Sequence, residues 1–197
     1  MWTKLSFWST VAWLVGATLP PPGIRSAGAV VLGRADGAEA RGKPRGVLAT
    51  KIQSDGALAP SLWIQGGGSA HPQSREVLES RLHKVQMRGQ DIFKVAVKNL
   101  YSASKEALDM TGLTPGDVDW ICPHQANLRI IDFAATRLGV AKEKVLINID
   151  RVGNTSIASI PILLDENVRS GKVRTGDTVV MCALGAGISW GGAIVRM

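Results

Sequence analysis

From residue 92 onward the chain keeps switching its hydrophobic period. Ile92, Ala96, Leu100, Ala103, Ala107 and Leu108 recur at helical spacing, with Gly112 as a stop signal. The spacing predicts a second helix over 127–138, stopped by Gly139, and a third over 157–170. Pro161 must lie in the first turn of the third, where its missing N–H costs little. Between and after these helices, Val118 to Cys122, Val145 to Ile149, Thr178 to Ala183 and Ile188 to Arg196 are short apolar runs of strand length. Such alternation predicts a mixed α/β domain with helices layered on a sheet.

Upstream the pattern is sparser. Ala27 to Gly33 reads as a short buried strand, and Val47 to Gln53 as another that ends at the turn signal Ser54-Asp55-Gly56. The stretch from Ala57 to Leu82, with Gly66, Gly67 and Gly68, reads as a long exposed loop. Ser26-Ala-Gly-Ala-Val-Val-Leu and Trp190-Gly-Gly-Ala-Ile-Val-Arg both place small residues before apolar ones, an echo that suggests duplicated halves. Residues 1–25 are unlike the rest. They carry Lys4, then an apolar run from Leu5 to Leu19, then Pro20, Pro21, Pro22 and Gly23. That run is short of the roughly 20 residues a membrane span needs, so it reads as signal-like or as a rearranged start, not as an anchor.

Composition narrows the classes. With 45% hydrophobic and 20% charged residues the chain is globular, which excludes collagen-like, coiled-coil and wholly disordered readings. Its 23 Lys and Arg against 16 Asp and Glu give a net charge of +7, which favours anionic partners such as phosphates or acidic proteins. No aromatics interleave with the basic run Arg34, Arg41, Lys43 and Arg45, so single-strand nucleic-acid binding is not indicated. Cys122 and Cys182 are too few and too far apart for a disulfide-built module or a four-ligand zinc site, and they point to a reducing, cytoplasmic setting. His71 and His83 lack Cys or carboxylate partners at metal spacing, so no metal site is expected.

Chemistry concentrates at Pro123-His124-Gln125-Ala126-Asn127, where a histidine stands between a buried strand and a helix start. Such junctions present reactive groups at an exposed sheet end, although a lone histidine there can equally be structural. Asp150-Arg-Val-Gly-Asn154-Thr-Ser156 repeats the arrangement with an amide, which can also serve as a helix N-cap. If the two converge, two neutral donors aimed at one oxygen form an oxyanion hole for an enolate or a tetrahedral intermediate.

These segments, together with Phe93-Lys-Val-Ala-Val, Ala158-Ser-Ile-Pro and Gly185-Ala-Gly-Ile-Ser-Trp-Gly, resemble the C-terminal half of β-ketoacyl-acyl-carrier-protein synthase III over roughly residues 26–197. The resemblance implies a thiolase-like fold, one half of a duplicated αβαβα architecture, and usually a homodimer. It divides the chain into a non-homologous stretch at 1–25, a remnant joining the two halves at 26–56, and the synthase domain at 57–197. It implies the reaction that initiates fatty-acid synthesis, a decarboxylative condensation of acetyl-CoA with malonyl-acyl carrier protein. Acetyl-CoA is then a substrate, no cofactor is called for, and the partners are acyl carrier protein and coenzyme A thioesters.

By the same resemblance His124 and Asn154 are the catalytic donors, and Gly185, Ala186 and Gly187 form the loop that holds the acyl-thioester oxyanion. Asn127 matches a pantetheine contact, Phe93 and Leu184 match acyl-channel positions, and Arg129 with Lys94 matches the carrier-docking surface. Leu184 stands where some members carry an aromatic residue. The family's nucleophilic cysteine belongs to the first half, and neither Cys122 nor Cys182 lies in a matching motif. Both read as buried apolar fillers, so an inactive fragment or a carrier-binding pseudoenzyme is the alternative. Tyr101 and Lys105 mimic the proton-transfer pair of short-chain dehydrogenases, but no strand, glycine turn and helix precede them to hold a dinucleotide.

Overall fold

The structure, a computed structural model, describes residues 9–13, 26–33, 37 and 39–197. Apart from Ser9–Trp13, the signal-like opening lies outside the described residues, as does Arg34 of the basic run. In chain order the strands are β1 (Ser9–Trp13), β2 (Gly28–Leu32), β3 (Glu39–Ala40), β4 (Lys43–Pro44), β5 (Gly46–Ser54), β6 (Leu62–Trp63), β7 (Gln86–Met87), β8 (Trp120–Pro123), β9 (Thr178–Gly185) and β10 (Ser189–Arg196). The α-helices are α1 (Arg75–Glu79), α2 (Gly89–Thr111), α3 (Leu128–Leu138), α4 (Ile149–Val152) and α5 (Ser159–Arg169).

The central sheet has the order β5-β10-β9-β8, with β8 and β9 parallel and the other pairs antiparallel. Helices α2 and α3 cover one face. Ala107, Leu108, Ile131, Ala135 and Leu138 pack there against Ile121, Val180 and Ile194. Helix α5 covers the other face, where Leu163 and Leu164 meet Cys122, Leu146 and Val179. Both faces of β8 and β9 are therefore buried, which is why their sequences read as continuous apolar runs instead of alternating ones.

Each helix ends where the local chemistry requires. Gly112 and Gly139 take left-handed conformations after α2 and α3, with φ of 68° and 73°, and accept the C-terminal role that a Cβ would disfavour. Asn127 caps α3 by accepting a hydrogen bond from Arg129 N–H at 2.9 Å. Pro161 is the third residue of α5, within the turn whose N–H groups have no helical partner. On the sheet, Gly192 allows α2 to lie directly on β10: a Cβ at this position would come within 2.7 Å of the Ala103 carbonyl oxygen.

Three sequence expectations change. Residues 145–149 do not form a strand: Val145 makes a single parallel bridge to Ile121, and the chain then turns into α4. The cause is Gln125, whose side chain takes over the backbone N–H groups of Asn148 and Ile149. The run 28–32 is a strand but not a buried one. It pairs with β1, and Val30, Val31 and Leu32 are exposed. The stretch 57–82 is not irregular throughout, because it holds a 3-10 turn at Gly56–Ser61, β6 and α1. Ser74 caps α1 by accepting from Val77 N–H at 3.2 Å.

Candidate active site

β8 is an edge strand that ends at Pro123, a residue unable to donate to a ladder. The next residue, His124, makes the last link to the sheet through its backbone N–H, which donates to the Cys182 carbonyl at 2.8 Å. Its ring then leaves the sheet toward α5, where Nδ1 lies 2.6 Å from the Ser159 hydroxyl. Burial holds the imidazole below its ordinary pKa, so the ring is neutral near pH 7. The histidine thus stands at the carboxyl ends of the parallel pair β8 and β9, as a junction residue should.

Gln125 fixes that junction, and sequence reasoning gave it no role. It is fully buried. Its Nε2 donates to the Pro123 carbonyl at 2.9 Å and to the Leu146 carbonyl at 3.4 Å, while Oε1 accepts from Asn148 and Ile149 N–H at 3.1 and 3.2 Å. One side-chain amide therefore stands in for a peptide unit of a missing strand, and every group it presents is used. Farther along, Glu166 of α5 accepts from Asn148 Nδ2 at 3.0 Å and from Arg151 at 2.8 Å, tying α4 to α5. The only signal for Gln125 in the sequence was a long polar side chain two residues after an apolar strand.

Asn154 lies in the link between α4 and α5, not at a strand end as the sequence suggested. It caps neither helix. Its Oδ1 accepts from Ser156 N–H at 2.8 Å, which closes a local turn and leaves its Nδ2 with no hydrogen bond among the described residues. Gly153 and Ser156 on either side have φ of 66° and 54°. His124 bonds the first residue of α5, Ser159, which follows Asn154 by five positions.

The remaining matched positions fall into two groups, one around the α2–α3 contact and one at the β9–β10 turn. Phe93 of α2 and Leu184 of β9 pack on the apolar cluster of Ala96, Leu100, Ile130, Ala134 and Cys182. The Arg129 guanidinium lies 5.4 Å from the centre of the Phe93 ring. Lys94, beside Phe93, is exposed, as is Asn127. At the end of β9 and in the turn that follows it, Gly185, Ala186 and Gly187 are exposed. The Gly187 N–H is already committed to the Leu62 carbonyl at 3.1 Å, so it is not free to hold a ligand. Ile188, fully buried with φ of 48°, anchors this turn through its carbonyl, which accepts from Asp55 N–H at 2.9 Å.

Neither cysteine is placed as a nucleophile. Cys122 packs against α5 and Cys182 packs on the opposite face of the sheet, both buried. Burial pushes the Cys122 thiol far above the ordinary range and the Cys182 thiol to about 11, so neither is a thiolate near neutral pH. The Tyr101 and Lys105 pair is likewise otherwise engaged. Lys105 bonds both oxygens of Asp109, at 2.8 and 2.7 Å, and the Tyr101 ring lies under Arg137. Among the described residues no three His, Cys, Asp or Glu side chains gather as a metal-holding group, and no helix is long and apolar enough to cross a membrane.

Residues 108–197 match the family model of the 3-oxoacyl-[acyl-carrier-protein (ACP)] synthase III C terminal. Over 151 residues the chain is 47% identical to beta-ketoacyl-[acyl-carrier-protein] synthase III of Desulfitobacterium hafniense, an alignment that covers 77% of this chain and 46% of that protein. The Caldanaerobacter subterraneus protein of the same name is 43% identical over 170 residues, covering 86% of this chain and 50% of its own length. The crystal structure of 3-oxoacyl-[acyl-carrier-protein] synthase III from Aquifex aeolicus superposes with a TM-score of 0.73 at 36% identity, covering 86% of this chain and 48% of that one. The Thermus thermophilus synthase III gives 0.72 at 37%, covering 86% and 50%. The chain spans about half the length of the curated relatives it matches. The fold is thiolase-like, and residues 108–197 belong to the family of 3-oxoacyl-[acyl-carrier-protein] synthase III C-terminal domains.

Proposed function

We propose that this chain supplies the decarboxylation and carrier-docking part of the condensation that initiates fatty-acid synthesis. The observation that carries the reading is His124, a half-buried neutral imidazole at the carboxyl end of β8, with Nδ1 engaged and Nε2 unpaired among the described residues. Loss of CO₂ from a malonyl thioester breaks a C–C bond and leaves its electron pair as an enolate. The enolate oxygen then needs neutral hydrogen-bond donors, the part given to His124 Nε2 and Asn154 Nδ2. Water returns a proton to carbon, giving acetyl thioester. The acyl chain would lie along Phe93 and Leu184, Asn127 would touch the pantetheine, and Arg129 with Lys94 would meet an acidic carrier protein. An oxyanion-holding role in the turn falls to Gly185 or Ala186, since Gly187 is engaged.

Acyl transfer from acetyl-CoA is a separate matter, because it requires a thiolate and both cysteines of this chain are buried thiols. This favours a second element of the reading: on its own the chain binds carrier protein and does not form an acyl-enzyme. The test is to incubate the purified chain with malonyl-carrier protein and acetyl-CoA. Carrier binding that weakens in Arg129→Glu is expected, together with malonyl decarboxylation that falls about 100-fold or more in His124→Ala and Asn154→Ala. No β-ketoacyl product should form. Decarboxylation indifferent to His124 would overturn the donor assignment, and product formed by this chain alone would overturn the statement about its cysteines.

A further inference from the structure

We infer that Ser159 is a positioning residue that sets the tautomer of His124: its hydroxyl donates to Nδ1, which leaves the ring proton on Nε2. The inference deepens the donor reading above and rests on it for its catalytic meaning, but the protonation pattern itself follows from hydrogen-bond accounting.

Ser159 is buried at the first position of α5, and its oxygen has two hydrogen-bond neighbours among the described residues. One is the backbone N–H of Gln125 at 3.3 Å, which can only donate, so it occupies a lone pair of the hydroxyl. The other is His124 Nδ1 at 2.6 Å. A serine in a helix commonly passes its proton to the carbonyl four residues back, but the Thr155 carbonyl instead accepts from Ala158 N–H at 3.2 Å and from the Ser26 hydroxyl at 3.4 Å. The Ser159 proton therefore has one acceptor, the Nδ1 lone pair. A neutral imidazole that accepts at Nδ1 carries its hydrogen at Nε2.

The arrangement is held from both sides. Gln125 N–H comes from the same junction as His124, and the side chain of Gln125 is locked by its own bonds to Pro123, Leu146, Asn148 and Ile149. Ser159 is thus fixed relative to the ring whose proton it directs. The chemical consequence is directional: with the proton on Nδ1, Nε2 would present a lone pair to an enolate oxygen and repel it, whereas with the proton on Nε2 it presents a donor.

The test is the long-range ¹H–¹⁵N correlation spectrum of the imidazoles in the uniformly ¹⁵N-labelled chain, recorded well above the His124 pKa. The cross-peak pattern is expected to show the Nε2–H form of His124 as the single populated tautomer in the unmodified protein. In Ser159→Ala the Nδ1–H form should become detectable, and in Ser159→Thr, which keeps a hydroxyl, the original pattern should return. A proton on Nδ1 in the unmodified chain overturns the inference without recourse to any variant. So does an unchanged single tautomer in Ser159→Ala whose backbone amide spectrum shows an intact fold. Because no substrate is used, the tautomer result stands apart from the decarboxylation test. A retained Nε2–H tautomer with no His124-dependent decarboxylation would refute the catalytic reading alone.

Discussion

Replacing Gln125 by Met keeps the length and most of the volume of the side chain but removes its amide. The Asn148 and Ile149 N–H groups then lose the oxygen that accepts them at 3.1 and 3.2 Å, and the Pro123 and Leu146 carbonyls lose a donor at 2.9 and 3.4 Å. A buried polar group left without a partner costs about 1–3 kcal/mol, with donors dearer than carbonyls that keep a second lone pair. Two orphaned N–H groups and two weakened carbonyls, offset slightly by an apolar side chain in an apolar place, give about 3–5 kcal/mol. Domains of ordinary stability have about 5–15 kcal/mol in total, so the substitution should remove a large share. Urea unfolding followed by tryptophan fluorescence reads this directly. With a slope of about 2–3 kcal/mol/M the midpoint should fall by about 1.5 M with the slope unchanged. A fall of less than about 0.3 M would refute the view that this amide replaces a peptide unit.

Further outcomes follow from the titrating groups. Burial holds the His124 pKa below the ordinary 6.5, so below pH 6.5 the unfolded chain takes up a proton that the folded chain resists. Its contribution to stability is thus fully present above 6.5 and is lost as pH falls toward and through the folded value. Subtracting the pH–stability curve of His124→Ala from that of the unmodified chain should isolate this loss on the acid side, and a difference that is flat across that range would contradict the burial. Cys122 and Cys182 should resist a thiol reagent at pH 8 in the native state and react together once the chain is unfolded in denaturant. Rapid reaction of either thiol in the native protein would show that the sheet interior is open.

The sequence made α2 and α3 legible because their apolar residues repeat at helical spacing and glycine marks their ends, and β9 and β10 because each is a short run dominated by small and apolar residues. Residues 145–149 misled for a physical reason. Their apolar run is buried like a strand, but the ladder partner is a side chain 20 or more positions earlier, which no local period records. The strand 28–32 was misjudged as buried because its apolar residues alone do not say what covers them. At the site, His124 was legible from the junction that carries it, and the surface joining Phe93, Leu184 and Arg129 was legible through family resemblance. Ser159 was not, since it meets His124 across 35 positions and a serine entering a helix ordinarily reads as a cap.

The seat of α2 on Gly192 makes the helix a lever. From Ala103, whose carbonyl oxygen lies where a Cβ of Gly192 would need to be, to Phe93 is about 15 Å along the axis. A methyl group inserted at the fulcrum lifts one point of the helix, and a tilt of only about 4° about that point swings the Phe93 end by about 1 Å. On the acyl-chain role proposed for Phe93, a displacement of that size can cost about 100-fold in rate. The placement of Phe93, and of the Arg129 guanidinium stacked on it, is therefore calibrated by a hydrogen atom on the far side of the helix, in a strand that carries no reactive group.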